Sequence, residues 1–259
     1  MIEHQEFWAK ELPIILNEDM RKVLDSGIIY IHGRDKWFRP IMVYNWGIFN
    51  DIDVDLDNAL QASLFSAFYM MENLLMAGKV ENWNVINNLD NLAVSKIPIK
   101  FLKTFLKVFQ ANLKWRGRAF LVLKVTWPIR ALWKMLSPFV DERVKNKITM
   151  TKDHTHENLL NNIHPSQLEK KFGGEADNLT DFWPPREISS IYGHDEDLIN
   201  WSQETEQIEE SEANHHSKFR ISPEVAIRKQ MSNHDILGSE YKGYKILHYE
   251  LNISNSYID

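Results

Sequence analysis

Histidines in two places are the first residues of this sequence that could do metal chemistry. His154 and His156 are separated by one residue and His164 follows them, while His215 and His216 form a second pair. Imidazoles in such an alternating pattern can bind zinc from a strand, usually together with thiolates. The chain has no cysteine, and its carboxylates are not ordered around these histidines. We therefore interpret them as solvated loop histidines and expect no metal site.

Two aspartates, Asp35 and Asp90, are the next candidates, because a pair of carboxyl groups can exchange protons with a substrate. Asp35 lies in a stretch typical of a turn, where Arg34 or Lys36 would neutralise it. The sequence contains no nucleophile with a matching base, no glycine-rich phosphate loop and no G-x-S-x-G or H-E-x-x-H motif. We therefore expect no catalytic residue and no enzymatic activity.

Positive charge is concentrated in the middle of the chain. The whole chain carries a net charge of −6, but residues 1–95 carry −7, residues 96–152 carry +12 and residues 153–259 carry −11. This basic part suits an anionic membrane, where each Lys or Arg contributes about 1 kcal/mol. Alternatively, it is a solvated face that the acidic C-terminal part balances. No nucleic-acid-binding signature accompanies it, so we expect no nucleic-acid partner. The main cations are Lys96, Lys100, Lys103, Lys107, Lys114, Arg116, Arg118, Arg130, Lys134, Arg143, Lys145 and Lys147.

Alternating strand and helix signals predict the elements that must position these residues. Strands that are separated by helices indicate an α/β sheet with crossover connections. The run at 119–125 is almost continuously apolar, which predicts a strand buried on both faces. Gly33 to Lys36 is typical of a turn, Asn91 suits a left-handed turn position, and Gly78 suits a helix end. The predicted strands are 28–31, 41–44, 83–89, 119–125 and 147–150, and the predicted helices are 58–77, 98–113, 128–136 and 157–163.

Two of the predicted helices combine apolar and basic surfaces. In the 98–113 helix, lysines share one face, and Phe and Leu side chains cover the opposite face. The 128–136 helix is rich in large apolar side chains, and Pro128 and Pro138 bracket it as hinges would. No run of about 18 uncharged apolar residues occurs, so the sequence predicts no transmembrane helix. The acidic N-terminus also lacks the pattern of a secretory signal.

Five short motifs follow one another in an order that resembles a known family. They are Gly33 to Val43 (GRDKWFRPIMV), Asn88 to Leu92 (NLDNL), Trp127 to Val140, Lys147-Ile148 and Pro165 to Gly174. Together they resemble the CRAL-TRIO lipid-binding family, which includes phosphatidylinositol-transfer proteins. The resemblance covers about residues 20–185. It implies an α/β fold in which a mixed, mostly parallel sheet floors an apolar pocket, with flanking helices as walls and one helix as a lid that opens at membranes.

The resemblance also implies where a lipid would bind. Lys147 matches a head-group lysine of the family, whereas Trp115 and Val144 stand where inositol-binding members have Glu and Thr. We therefore expect a bound phospholipid or other hydrophobic ligand, without inositol specificity being implied, and no other cofactor. The lid and pocket residues are Trp127, Ile129, Leu132, Trp133, Leu136 and Phe139, and the head-group or basic-collar residues are Lys147, Lys124, Arg116, Arg118 and Lys145.

These features predict non-catalytic binding and transfer of a phospholipid or other hydrophobic ligand, with docking on an anionic membrane surface. The alternative is a structural accessory subunit of a cytoskeletal, ciliary or mitochondrial assembly that binds protein partners through the acidic C-terminal part. We predict a short helical segment at 1–26, the lipid-binding domain at 27–185 and an acidic extension at 186–259. The expected location is the cytoplasm or a membrane surface, or a mitochondrial or ciliary assembly under the alternative.

Overall fold

The N-terminal part of the fold is a helix followed by a β-hairpin. The computed structural model describes residues 14, 16–50, 55–75, 80–93, 95, 99–113 and 115–185. Helix α1 (Glu18–Asp25) begins at Asn17, whose side-chain oxygen accepts a hydrogen bond of 2.7 Å from the Met20 amide. Strands β1 (Ile29–Arg34) and β2 (Pro40–Asn45) follow and pair antiparallel.

The turn between β1 and β2 starts later than the sequence predicted. Gly33 and Arg34 belong to β1, and the turn begins at Asp35. The buried Asp35 carboxylate accepts hydrogen bonds of 2.9 Å from the backbone amides of Trp37 and Arg39. The Asp35 side chain therefore accepts the hydrogen bonds of turn amides that have no strand partner. Because of this, β1 and β2 stay paired up to the turn.

The rest of the chain alternates helices and strands as predicted. Helix α2 ends at Asn73, four residues before the predicted end at 77, and Gly78 lies outside the described residues. Asn91 has the left-handed conformation predicted for it, with φ of 58°. The elements are α2 (Leu56–Asn73), β3 (Trp83–Asn88), α3 (Ile99–Leu113), β4 (Gly117–Leu123), α4 (Trp127–Leu136), α5 (Glu142–Lys145), β5 (Ile148–Met150) and α6 (Glu157–Asn162). No helix within these described elements is long and apolar enough to cross a bilayer.

The five strands form one mixed sheet in the order β1-β2-β3-β4-β5, in which only the β1–β2 pair is antiparallel. Each parallel strand is added on the same side of the preceding one. Right-handed crossovers in a sheet of this order must all lie on one face. Helices α2, α3 and α4 therefore share one face of the sheet, and α6, which follows β5, packs on the other. This architecture confirms the predicted fold class.

Two apolar clusters occupy the two faces. The larger cluster joins α1, α2 and α3 to side chains of the first three strands, among them Met42 and Val85. The smaller cluster joins α6 and the segment after it to the opposite face, through residues such as Ile86 and Leu121. Because strand side chains alternate between faces, neighbouring residues of one strand belong to different clusters.

Strand β4 differs from the prediction of a strand buried on both faces. Leu121 and Leu123 are buried against the α6 side, with exposed fractions of 6% and 0%. Phe120 and Val122, which point to the α3 side, are only half-buried. An apolar run in the sequence cannot distinguish a strand that is sealed on both faces from one whose second face stays partly open. This difference locates the candidate site.

Candidate functional site

The floor of the candidate site is the half-buried face of β4 and β5. Phe120 pairs in register with Ile148, and Val122 pairs with Met150. Residues in register on adjacent strands point to the same face, so these four apolar side chains form one patch, which we call the floor. All four are half-buried, although they occupy the interior face of a parallel sheet, where full burial is usual.

Helix α3 forms one wall beside the floor. Its aromatic side chains and Phe120 pack against the same apolar cluster. Phe105 stacks on Phe109 with ring centroids 4.2 Å apart, and its edge meets Tyr44 at 5.7 Å. The wall is only half-buried, whereas Lys100, Lys103 and Lys107 on the opposite side of the helix are exposed. The predicted two-sided character of this helix is confirmed.

Helix α4 presents its predicted lid residues in three different environments. Ile129 and Leu136 are buried, with exposed fractions of 7% and 6%, and Leu132 and Trp133 are half-buried. Trp127 is 80% exposed at the start of the helix. Pro128 occupies the first turn, and the Thr126 side chain makes no capping hydrogen bond. Helix α4 is therefore anchored through one buried apolar stripe. A second apolar side of the helix is half-buried, and the Trp127 ring at its first residue is exposed to solvent.

The C-terminal end of α4 is tied to α3 by a single amide side chain. Gln110 donates a hydrogen bond of 3.1 Å from Nε2 to the Phe139 carbonyl, and its Oε1 accepts one from the Asp141 amide. Phe139 is 57% exposed, and the Lys103 ammonium lies 4.5 Å from the centre of its ring. We call this contact the Gln110 clasp. It fixes the segment that follows α4 relative to the wall.

Lys147, the predicted head-group residue, lies where β5 begins beside β4. Its ammonium donates a hydrogen bond of 2.7 Å to the Gly117 carbonyl. Burial lowers the pKa of Lys147, and the positive charge of Arg118 lowers it further. Trp115 lies two residues before Gly117 and is 65% exposed. The Arg143 guanidinium lies 5.0 Å from the centre of its ring. Cationic groups therefore gather at the amino-terminal edge of the parallel strands.

The predicted basic collar does not form a single group. Arg116 donates a hydrogen bond of 3.0 Å to the Glu81 carbonyl, and Lys145 pairs with Glu142 at 3.1 Å. Arg118 is exposed on β4 near Lys147. Lys124 follows the last residue of β4 and has a φ of 60°. It lies at the carboxyl end of that strand, roughly 26 Å along the strand from Arg116. Lys124 is thus separated from the other four.

Two of the histidines that were considered as metal ligands, His156 and His164, make local hydrogen bonds with the backbone. The His156 ring nitrogen accepts a hydrogen bond of 3.1 Å from the Asn158 amide at the start of α6, and His164 does the same for Ser166 at 3.3 Å. His154 is exposed. Within the described ranges, no three His, Asp or Glu side chains are grouped so that they could hold a metal ion. His215 and His216 lie outside those ranges.

Asp35 and Asp90 are not a pair. Asp35 is 2% exposed. Its carboxylate accepts hydrogen bonds of 3.3 Å from the Arg39 guanidinium and 2.7 Å from the Asn84 side-chain amide. Burial raises its pKa, which the Arg39 charge partly offsets. Asp90 is exposed in the turn after β3. Asp35 therefore stabilises the hairpin turn of the first motif, and neither aspartate faces the floor.

The last motif places a buried acid on the other face of the sheet. Glu169 is 1% exposed; it accepts hydrogen bonds of 2.6 Å from the Tyr30 hydroxyl and 2.9 Å from the Leu179 amide, and it pairs with Lys171 at 2.9 Å. Burial and the Glu169 charge raise the pKa of Tyr30 well above its usual value. His32 points to the same face, is 7% exposed, and has no hydrogen-bond partner among the described residues. Burial lowers its pKa.

Sequence reasoning missed the floor and the clasp. Phe120 and Val122 lie within the apolar run that predicts a strand buried on both faces. The alternation of side chains along this strand, combined with the apolar face of the helix pattern at 98–113, is the signal that could place them opposite α3. Gln110 carried no signal, because an amide inside an amphipathic helix is ordinary. The burial of His32 without a hydrogen-bond partner in the described part of the chain also had no sequence signal, because His32 simply follows a β-branched run.

Five strands with one-sided crossovers, a half-buried apolar floor and an amphipathic wall define an α/β domain with apolar surface left open between its sheet and its helices. The chain belongs to the CRAL/TRIO domain family, whose sequence profile matches residues 24–174. Proteins of this family bind and transfer hydrophobic lipid ligands. The resemblance predicted from the five motifs is therefore confirmed.

Individual relatives match at low identity. A CRAL-TRIO domain-containing protein of Schizosaccharomyces pombe is 23% identical over 160 residues, which are 61% of this chain and 35% of that protein. Patellin-6 of Arabidopsis thaliana is 23% identical over 181 residues, which are 66% of this chain and 44% of that protein. The chain therefore matches less than half the length of these relatives. The crystal structure of Sfh5 has a TM-score of 0.55 at 14% identity, covers 76% of this chain and 73% of its own, and shares the fold.

Proposed function

We propose that this chain binds a phospholipid or a similar hydrophobic ligand on the floor, between β4, β5 and helices α3 and α4, and that it transfers this ligand at membranes. The observation that carries the proposal is the half-burial of Phe120, Val122, Ile148 and Met150 on an interior sheet face. Each acyl methylene removed from water contributes about 0.8 kcal/mol. A ligand chain laid along the floor therefore gains on the order of 10 kcal/mol and leaves readily only into a bilayer.

The head group of this ligand would lie at the amino-terminal edge of the parallel strands. Lys147 and Arg118 are both cationic there, and the pKa of Lys147 is lowered by its partial burial and further by the Arg118 charge. A phosphate between them would relieve this repulsion. We expect Lys147→Ala to weaken the binding of anionic lipids. Unchanged binding would contradict a head-group role for Lys147 and favour a structural role, such as its contact with the Gly117 carbonyl.

Membrane docking would use the exposed apolar side chains around α4. Trp127 and Phe139 flank the helix at its two ends, and Met135 is 45% exposed on it. The Trp127 ring is apolar with one polar N–H, a combination that is favoured at the membrane interface, and the exposed lysines of α3 add attraction to anionic lipids. The proposed location is accordingly a membrane surface that the protein reaches from the surrounding solution.

The test is whether lipid occupies the floor. Native mass spectrometry of the full chain, followed by lipid extraction, should detect a co-purified phospholipid in the unaltered protein. Val122→Trp should fill the floor and raise the Kd for the lipid at least tenfold, a change of about 1.4 kcal/mol in binding. The matched control, Leu121→Met, changes the adjacent residue on the opposite face and should leave lipid binding unaltered.

Vesicle assays provide the second measurement. The unaltered protein should move a fluorescent phosphatidylcholine between vesicles, and Val122→Trp should not. A lipid-free protein that neither takes up nor moves this probe would contradict the proposal and favour the alternative of a structural subunit on a repurposed fold.

A further inference from the structure

The outer faces of α3 and α4 form a positively charged surface. We call it the basic surface. It consists of Lys100, Lys103, Lys107, Arg130 and Lys134, all of which are exposed. Among the described residues, none of the five is in an ion pair. The two helices meet where the Lys103 ammonium covers the Phe139 ring at 4.5 Å. The basic surface therefore borders the proposed lid and its Gln110 clasp.

A segment of opposite charge follows in the same chain. Residues 195–212 contain eight carboxylates and no Lys or Arg. This composition differs from the rest of the chain after the family match, where acidic and basic residues are mixed. We call it the acidic segment. Its carboxylates are Asp195, Glu196, Asp197, Glu204, Glu206, Glu209, Glu210 and Glu212.

The described chain ends on the side of the sheet that carries the basic surface. Trp183 is 2% exposed and packs against Phe65 and Tyr69 of α2, with ring centroids 5.4 and 5.0 Å apart. Helices α2 and α3 lie on the same sheet face, and packed helices are about 8–10 Å apart. The ten residues from Pro185 to Asp195 span up to about 33 Å when extended. The acidic segment can therefore reach the outer face of α3.

We propose that the acidic segment binds the basic surface of its own chain and competes there with anionic membranes. The inference rests on the proposed function, because it concerns the control of the same docking surface. Charge complementarity favours this occupant: eight negative side chains meet five cations that lack ion-pair partners in the described residues. A tethered segment also has an effective concentration in the millimolar range. An anionic bilayer must displace it before α4 reaches the membrane.

Both the intramolecular contact and the attraction to membranes should depend on salt. Charges at an exposed surface are screened over about 8 Å at physiological ionic strength. Moderate salt therefore weakens the intramolecular contact as well as membrane attraction. A dense anionic bilayer presents many more charges than the acidic segment, so the membrane displaces the segment only above a threshold density of anionic lipid. The acidic segment would thus make docking selective for strongly anionic membranes.

The test compares two triple variants of the full chain that change net charge equally. Glu206→Gln, Glu209→Gln and Glu210→Gln together alter the acidic segment. Glu157→Gln, Glu175→Gln and Asp177→Asn together alter exposed acids on the α6 side of the sheet. Binding is measured on vesicles of phosphatidylcholine with phosphatidylserine. The segment variant should bind roughly tenfold more tightly than the unaltered chain, and the control variant should bind as the unaltered chain does.

Carbodiimide crosslinking provides a readout that needs no membrane. It should join Lys100, Lys103 or Lys107 to glutamates of the acidic segment within one chain. Equal vesicle affinities of the two triple variants, or crosslinks that form only between chains, would overturn the inference and leave membrane docking intact. If instead neither the unaltered chain nor the segment variant binds vesicles while intramolecular crosslinks form, the docking proposal fails and the intramolecular contact stands.

Discussion

The two ends of the sheet are built from similar apolar residues but are covered very differently. On β1 and β2, nearly every residue is buried. On β5, all three residues are half-buried, and β4 is buried on one face only. Helices α1 and α2 and the Trp183 ring seal the first end, whereas α4 lies over the other end with only Ile129 and Leu136 buried. One end of the sheet is therefore sealed, whereas the apolar floor at the other end stays half-buried.

The largest effect should come from the sealed end. Trp183→Ala removes a ring that packs between Phe65 and Tyr69, and it should lower the free energy of unfolding by about 3–5 kcal/mol. Trp127→Ala removes a ring that is 80% exposed and should change it by less than about 0.5 kcal/mol. Chemical denaturation of both variants is the measurement. Similar losses would mean that the α4 side is as well packed as the α2 side.

Adjacent residues of β4 sharpen the comparison within one strand. Leu121→Ala empties a buried site and should cost about 2–5 kcal/mol of the free energy of unfolding in lipid-free protein. Val122→Ala, on the half-buried face, should cost less than about 1.5 kcal/mol. The same denaturation experiment compares the two. If Val122→Ala is the more costly change, the floor is a closed core and not a ligand surface.

The tight packing at the β1 end of the sheet should make stability depend on pH through His32. The buried His32 ring has no hydrogen-bond partner in the described structure. Burial lowers its folded-state pKa, an effect that Glu169 opposes and Lys171 reinforces. The unfolded state therefore binds the proton more readily between the lowered pKa and the usual value near 6.5. The stability that neutral His32 retains at pH 7 should be lost progressively as the pH falls below about 6.5.

His32→Leu should remove this part of the pH dependence. Denaturation midpoints at several pH values measure it, with His154→Leu as the control because His154 is exposed. A His32→Leu variant that keeps the full slope below pH 6.5 would assign that slope to other groups.

A small and local effect should come from the Gln110 clasp. Gln110→Met keeps the length of the side chain but removes the contacts with Phe139 and Asp141. The loss of stability should be about 0.5–1.5 kcal/mol. Hydrogen exchange should accelerate at residues 127–141 while the amides of β1 and β2 keep their protection. Asn112→Met, two residues away on the same helix, is the control. Uniform acceleration would mean that the clasp supports the whole fold.

Much of this architecture was predictable because strand and helix signals alternate clearly. All five strands and the four main helices occur near their predicted positions, since local apolar patterns decide them. The half-burial of Phe120 and Val122 was not predictable from β4 alone, because burial depends on what the crossover helices leave uncovered. The separation of Lys124 from Arg116 was predictable, because Arg116 precedes the predicted strand at 119–125, Lys124 lies near the end of that strand, and each strand residue adds about 3.3 Å.

The close approach of the first and last parts of the domain has a consequence for how it can be used. The Phe182 ring occupies the space that a side chain on Gly27 would need, and the Arg21 guanidinium donates a 3.5 Å hydrogen bond to the Trp183 carbonyl. Trp183 belongs to the core although the family match ends at residue 174. A domain whose first and last segments lie side by side can be inserted into a longer polypeptide without moving the flanking segments apart. The two relatives from Schizosaccharomyces pombe and Arabidopsis thaliana are more than twice as long as the regions that match this chain.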